Sequence, residues 1–159
     1  MKKTNAVRVL DRLKIAYDLV SYEVNPNDLA ADSIAQKVGL PPEQVFKTLV
    51  AKGDRHGVCL AVIPGNFHLN LKALATLSGD KKVETAPLKD VQPLTGYIRG
   101  GVTALACKKD YPVYLHHSAM TFDWITVSAG QRGLLIRLDP KDYQTAAQAT
   151  VGAIADLEA

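Results

Sequence analysis

Lys47 is the first residue whose type and place suggest chemistry. It lies inside an apolar run, Val45-Phe46-Lys47-Thr48-Leu49-Val50-Ala51. In a strand its side chain shares a face with Val45, Leu49 and Ala51, opposite Phe46 and Thr48. Lysine is seldom fully buried. Such a lysine is either a cation aimed into a pocket, where it holds a phosphate or an oxyanion, or an edge residue whose stem packs and whose amine reaches water. A second stretch, Thr95-Gly96-Tyr97-Ile98-Arg99-Gly100-Gly101-Val102-Thr103, carries three glycines within six residues. It lets a backbone approach a ligand and turns N–H groups toward an anion, or it serves as a bend or bulge. Neither the dinucleotide fingerprint nor a phosphate loop is present. A third stretch, Ser128-Ala129-Gly130-Gln131-Arg132-Gly133, reads as a hairpin loop. If it faces the same mouth as the glycine pair, Ser128 can hydrogen-bond a substrate and Arg132 can contact phosphate.

Other chemistries find less support. His116 and His117 are adjacent on a strand and point to opposite faces, so they do not readily chelate one ion. No Cys-x-x-Cys or His-Glu-x-x-His spacing exists, so no metal is expected. There is no Gly-x-Ser-x-Gly elbow. Cys59 lies mid-strand in Val58–Ile63 and reads as a small core residue.

The elements that must position these residues follow from periodicity and punctuation. Thr4 caps a first helix with Ala6, Val9, Leu10 and Leu13 on one stripe. Tyr17–Val24 alternates as a strand. A second helix carries Ala31, Ile34, Ala35 and Val38 and stops at Gly39. Pro41-Pro42 opens a short turn. Gln44–Lys52 and Val58–Ile63 are strands joined by a hairpin at Gly53–Gly57. Asn70 caps a third helix that ends at Gly79. Lys82–Thr85 is a short strand, Leu88–Leu94 a helical turn, and Pro112–His116, Ile125–Ser128 and Leu134–Leu138 are strands. Asp139, with Pro140 at the first helical position, starts a final helix predicted to run toward Leu157. About seven strands and four helices result, in a mixed α/β fold with a mostly antiparallel, barrel-like sheet flanked by helices.

The chain has 159 residues, of which 47% are hydrophobic and 22% charged, which excludes disordered and fibrous classes. It is read as one domain over residues 1–159. No apolar run is long enough for a membrane helix. The opening Met1-Lys2-Lys3 is not followed by the apolar stretch of a signal peptide. Two cysteines suit a reducing, cytoplasmic setting better than a disulfide framework. A net charge of +3 permits a polyanionic ligand without demanding one.

Taken in order, several stretches resemble the YbaK/EbsC family of trans-editing aminoacyl-tRNA deacylases, related to the editing insertion of bacterial prolyl-tRNA synthetase. They include Ser21-Tyr22-Glu23, the run Gly39–Leu49 with Val-Phe-Lys-Thr-Leu, Gly79–Glu84, Thr95–Gly101, Lys108-Lys109 and Val127–Leu134. The ordered set, above all the lysine motif paired with Gly-Tyr-x-x-Gly-Gly, carries the likeness. It implies a compact mixed α/β domain and a pocket for the aminoacylated 3′ end of a mischarged tRNA, with prolyl-tRNA synthetase as companion. No cofactor and no DNA or membrane partner is expected. The likeness implies release of a wrongly attached amino acid, typically cysteine on the proline tRNA. It places the key lysine on Lys47 and the glycine pair on Gly100 and Gly101. The pocket tyrosine falls on Tyr22 and the loop serine on Ser128. Beside these, Phe46, Thr48 and Arg132 are read as further substrate contacts from their places in the lysine strand and the serine loop. The chain departs from the family at Leu135, where many members carry Asp, and at Val102-Thr103-Ala104-Leu105-Ala106, which lacks the family's Pro and Gly.

Overall fold

A computed structural model describes residues 3–158; the reading of Met1 and Lys2 lies outside them. The framework is a five-stranded sheet in the order β5-β2-β3-β6-β9. Its strands are β2 (Phe46–Gly53), β3 (Gly57–Pro64), β5 (Val83–Thr85), β6 (Val113–His116) and β9 (Ala149–Gly152). β2 and β3 pair antiparallel along their whole length, from Phe46 opposite Pro64 to Gly53 opposite Gly57. The β3–β6 and β6–β9 pairings are parallel. A second sheet joins β1 (Asp18–Ser21), β8 (Leu134–Leu138) and β7 (Ile125–Ser128), all antiparallel. A two-stranded ribbon pairs β4 (Phe67–Leu69) with β10 (Ala155–Leu157). The sheets do not close into a barrel. One parallel bridge, Val45 to Thr126, ties the second sheet to the start of β2.

Both faces of the large sheet are covered. Val50, Leu60, Val62 and Leu115 pack with α1 (Asn5–Arg12), the second sheet and Tyr143 of α5 (Pro140–Ala147). On the other face Ala51, Cys59, Ala61 and Ile63 pack against Leu74 and Ala75 of α3 (Leu71–Ser78). Two covered faces explain why Val58–Ile63 is apolar without alternation. α2 (Ala31–Val38) closes a smaller cluster in which Ile34 and Ala35 meet Val45 and Leu135.

The expected caps are present. Thr4 accepts from Val7 N–H, Asn70 from Ala73 N–H and Asp139 from Lys141 N–H. α2 and α3 end on left-handed Gly39 and Gly79. Three expectations are corrected. The final helix does not reach Leu157: it stops at Gln148, in left-handed conformation, and Thr150, Ala153 and Ile154 belong to the strand region beyond. Parallel pairing of β9 to β6 overrides the local helix tendency there. The Leu88–Leu94 turn is a full helix, α4 (Leu88–Thr95), which runs through Pro93. The strand Tyr17–Val24 shortens to β1, because only Asp18–Ser21 finds a partner in β8. Among the described residues there are ten strands and five α-helices.

Candidate functional site

β2 pairs with β5 only over Ala51–Gly53. Its first half therefore has an edge, bounded by the Val45–Thr126 bridge and by the Ala86 N–H that donates to Val50 O at 2.9 Å. Main-chain groups alternate in direction along a strand. Since the Val50 carbonyl faces outward, so do the N–H and C=O of Thr48. A cavity of about 540 Å³ wraps this edge. Its walls include Leu29, Ile34, Val45 and Leu135, with Tyr22 from the segment after β1.

Lys47 projects into it. The side chain is 26% exposed; its amine donates to Gly65 O at 3.1 Å and lies 3.9 Å from Glu158 Oε1. A lysine ammonium carries three donors, so one carbonyl leaves donors for a ligand. Gly65 can come this close because it has no side chain: a Cβ there would stand 2.9 Å from Val45 O and 3.0 Å from Ala31 Cβ. Glu158 extends the β4–β10 ribbon, its N–H donating to Asn66 O at 3.1 Å. The ribbon is held from beneath by buried His116, whose Nδ1 accepts from Ile154 N–H at 3.1 Å. Burial, and then the neighbouring His117 ring, hold the His116 imidazole below its ordinary pKa, as a neutral acceptor requires.

Tyr22, Phe46, Lys47, Thr48, Gly100 and Ser128 all border the cavity. Phe46 contributes little beyond backbone, since its ring is buried in the main core. Gly101 and Arg132 stand apart from the cavity wall. Gly101 is buried against the hairpin loop, where a Cβ would meet the Gln131 backbone at 3.0 Å, and its N–H is used by Ile98 O at 2.9 Å. The Gly100 N–H donates to no backbone carbonyl among the described residues. Ser128 Oγ accepts from Gly130 N–H at 3.1 Å, which shapes the loop and leaves the hydroxyl proton available. Tyr97 locks the same region: its hydroxyl donates to Leu105 O at 2.7 Å, and left-handed Gly130 makes room for its ring. Three segments distant in sequence thus meet at one mouth.

Sequence reasoning missed Glu158, Gly65 and Asp32 on this wall. Glu158 lies beyond the last residue that the sequence assigns to an element, and no local signal marks it. In the sequence Pro64-Gly65 reads only as the end of the strand Val58–Ile63. Of the groups set aside from the sequence, Cys59 is buried and its thiol is pushed up to about 11 by burial, which disfavours the thiolate a nucleophile needs.

Comparison with known proteins gives a consistent picture. The family description "aminoacyl-tRNA editing domain" matches residues 26–146. EbsC of Enterococcus faecalis, a candidate Cys-tRNA(Pro)/Cys-tRNA(Cys) deacylase, is 44% identical over 140 residues, covering 88% of this chain and 85% of that protein. The proline–tRNA ligase of Shouchella clausii is 27% identical over 135 residues, which are 83% of this chain but 23% of the ligase. Among solved structures, a candidate trans-editing enzyme for prolyl-tRNA synthetase superposes with a TM-score of 0.81 at 25% identity, covering 98% of this chain and 99% of that one. The hypothetical protein APE2540 shares the fold, with a TM-score of 0.87 at 22% identity over 96% of this chain and all of the other. With a family match across more than half its length and a close relative along nearly all of it, this chain belongs to the aminoacyl-tRNA editing domain family.

Proposed function

We propose that this protein is a trans-acting deacylase that removes a wrongly attached amino acid, cysteine foremost, from tRNA, the proline tRNA in particular. The observation that carries the reading is the Lys47 amine, half-buried in a largely apolar cavity beside Gly100 and Ser128. The identity to EbsC supports the substrate class.

An aminoacyl ester is already activated, so the protein's task is to hold the acyl group and to stabilise the oxyanion that develops on its carbonyl. Lys47 offers its remaining donors to the terminal phosphate or the ester oxygens. The Gly100 N–H, which meets no backbone carbonyl among the described residues, serves the developing oxyanion; Gly101 supports the loop, its own N–H taken by Ile98 O. Ser128 and the outward main chain of Thr48 orient the ribose and acyl group.

With cysteine as the acyl group, its own thiol attacks. The sulfur–carbonyl carbon bond forms, the ester carbon–oxygen bond breaks, and the ribose oxygen takes the thiol proton, leaving a thiolactone. A thiol with a pKa of ~8.5 is a few per cent thiolate at neutral pH, and oriented intramolecular attack supplies ~7–11 kcal/mol. With another amino acid a positioned water takes the thiol's place and the release is hydrolytic. Prolyl-tRNA synthetase is the companion this reading favours, since the chain resembles a part of proline–tRNA ligases.

The test is incubation with cysteinyl-tRNA(Pro) and a panel of other mischarged tRNAs. Release of cysteine that is lost in Lys47→Ala is the expected result. Tight binding of charged tRNA without release would make the protein a binding module of the same fold, and release that persists in Lys47→Ala would remove the lysine from the reaction.

A further inference from the structure

Beside the cavity lies a second, shallower depression of about 520 Å³. The two share Leu29, Leu88, Val91 and Arg99, so one opens into the other. The new walls carry Lys89, Arg132 and Ile98. We propose that this depression is the channel for the single-stranded RNA immediately preceding the terminal nucleoside, with Arg99, Arg132 and Lys89 receiving its phosphodiesters. The inference rests on the tRNA reading above and gives it a path.

Charge is the first argument. Among the described residues none of these three cations makes an ion pair, although Lys3, Lys52 and Lys82 all do. The one carboxylate of α4, Asp90, is taken by Lys52 at 3.6 Å. Three unneutralised cations converging on one concave surface suit a ligand with repeated negative charge.

Placement is the second. Arg132 is fixed: its Nε donates to Arg99 O at 2.8 Å. It reaches that carbonyl by lying across Gly100, where a Cβ would come within 3.3 Å of Nε and 3.4 Å of Cγ. The bare, left-handed Gly100 therefore seats an arginine at the boundary between the two hollows, leaving the outer guanidinium nitrogens for a phosphate oxygen pair. Leu88 and Ile98 are 59% and 43% exposed on the same walls and give apolar surface for base faces. The shared wall gives an RNA strand whose last nucleoside fills the cavity a way out along this depression.

The test is fluorescence anisotropy with an uncharged hairpin RNA ending in single-stranded CCA, and with the same hairpin lacking those three nucleotides, at several salt concentrations. Arg99→Gln, Arg132→Gln and Lys89→Gln are each expected to weaken the CCA hairpin about 5- to 10-fold and to flatten the log–log salt slope by about 0.7 per lost contact, with little change for the truncated hairpin. The Lys89 side chain makes no hydrogen bond or ion pair among the described residues, so its variant reports even if the Arg132 loop loosens. Equal weakening of both RNAs, or unchanged affinity and slope in all three variants, would overturn the channel. Because the probe carries no amino acid, the outcome is separate from whether the protein releases one.

Discussion

The two ends of β2 are built on opposite plans. At Ala51–Gly53 the strand is flanked on both sides, by β3 and by β5. The turn beyond is gripped by Asp80, whose Oδ1 accepts from the N–H groups of Arg55 and His56 at 2.9 and 2.8 Å and whose Oδ2 accepts from Ser78 Oγ at 2.7 Å. Gly53 has no side chain because a Cβ there would fall on that carboxylate. At Phe46–Val50 β5 is missing, a lysine sits where a core residue is expected, and the edge borders a cavity. An open edge is a liability that sheets normally cover. Here the uncovered groups border a hollow, where a ligand of matching shape can pair with them.

The largest effect expected from breaking this contrast is at the open end. Lys47→Ala should lower release from mischarged tRNA by about 10²-fold or more, the scale of losing an oxyanion donor, while the thermal midpoint stays close to wild type. A large fall in that midpoint would mean that Lys47 is structural, like the residues at the closed end. Next, Gly101→Val forces a side chain into the Gln131 backbone. Overpacking of this kind costs about 1–3 kcal/mol, which thermal unfolding should register as a drop of roughly 2–4 °C per kcal/mol. A midpoint equal to wild type would show that the glycine loop has room the structure does not leave.

Asp80→Asn should lower the midpoint and leave the kinetics of release alone, the inverse of Lys47→Ala. The hydrogen bond from Ser78, followed by those from the His56 and Arg55 amides, holds the Asp80 carboxyl below its ordinary value. The unfolded chain binds this proton first, so the contribution of Asp80 is present above about pH 4 and is lost as pH falls through its lower folded value. Melts between pH 5 and pH 3 in wild type and Asp80→Asn would show it as a difference in slope. The smallest effect concerns the strand that brings Glu158 to the open end. His116 is neutral in the folded protein and has a depressed pKa. The unfolded imidazole protonates near pH 6.5, so stability is fully present above that point and declines as pH falls below it toward the folded value. A modest loss of midpoint between pH 7.5 and pH 5.5, absent in His116→Gln, is expected; identical profiles would separate the ribbon from His116.

Much of the scaffold could be read from short-range chemistry. Thr4, Asn70 and Asp139 are caps because their side-chain oxygens reach N–H groups two or three residues ahead. Gly39 and Gly79 end helices because a left-handed residue is needed there. The β2–β3 hairpin is a local pairing. The errors fall where a distant partner decides. Ala146-Ala147-Gln148-Ala149 offers no helix stop, and α5 ends there because β6 has a free edge for Ala149–Gly152. β4 and β10 are too short to stand alone and exist as each other's partner. At the site the lysine, the glycine pair and the serine loop were legible as types. The division of labour between Gly100, at the wall, and Gly101, under the loop, was not, because it depends on which atoms of Gln131 and Arg132 lie opposite.

By itself, then, the order of residues determined the caps, the hairpin, the doubly buried strand and the residue types of the three short stretches that meet around the cavity. These rest on interactions within a few positions of one another or on the fixed period of helix and strand. Tertiary structure alone decided that β5 stops short of Phe46, that the ribbon of β4 and β10 sets a carboxylate beside Lys47, and that an arginine lies over a bare glycine. Each is a contact between segments tens of residues apart, whose free energy no local pattern carries.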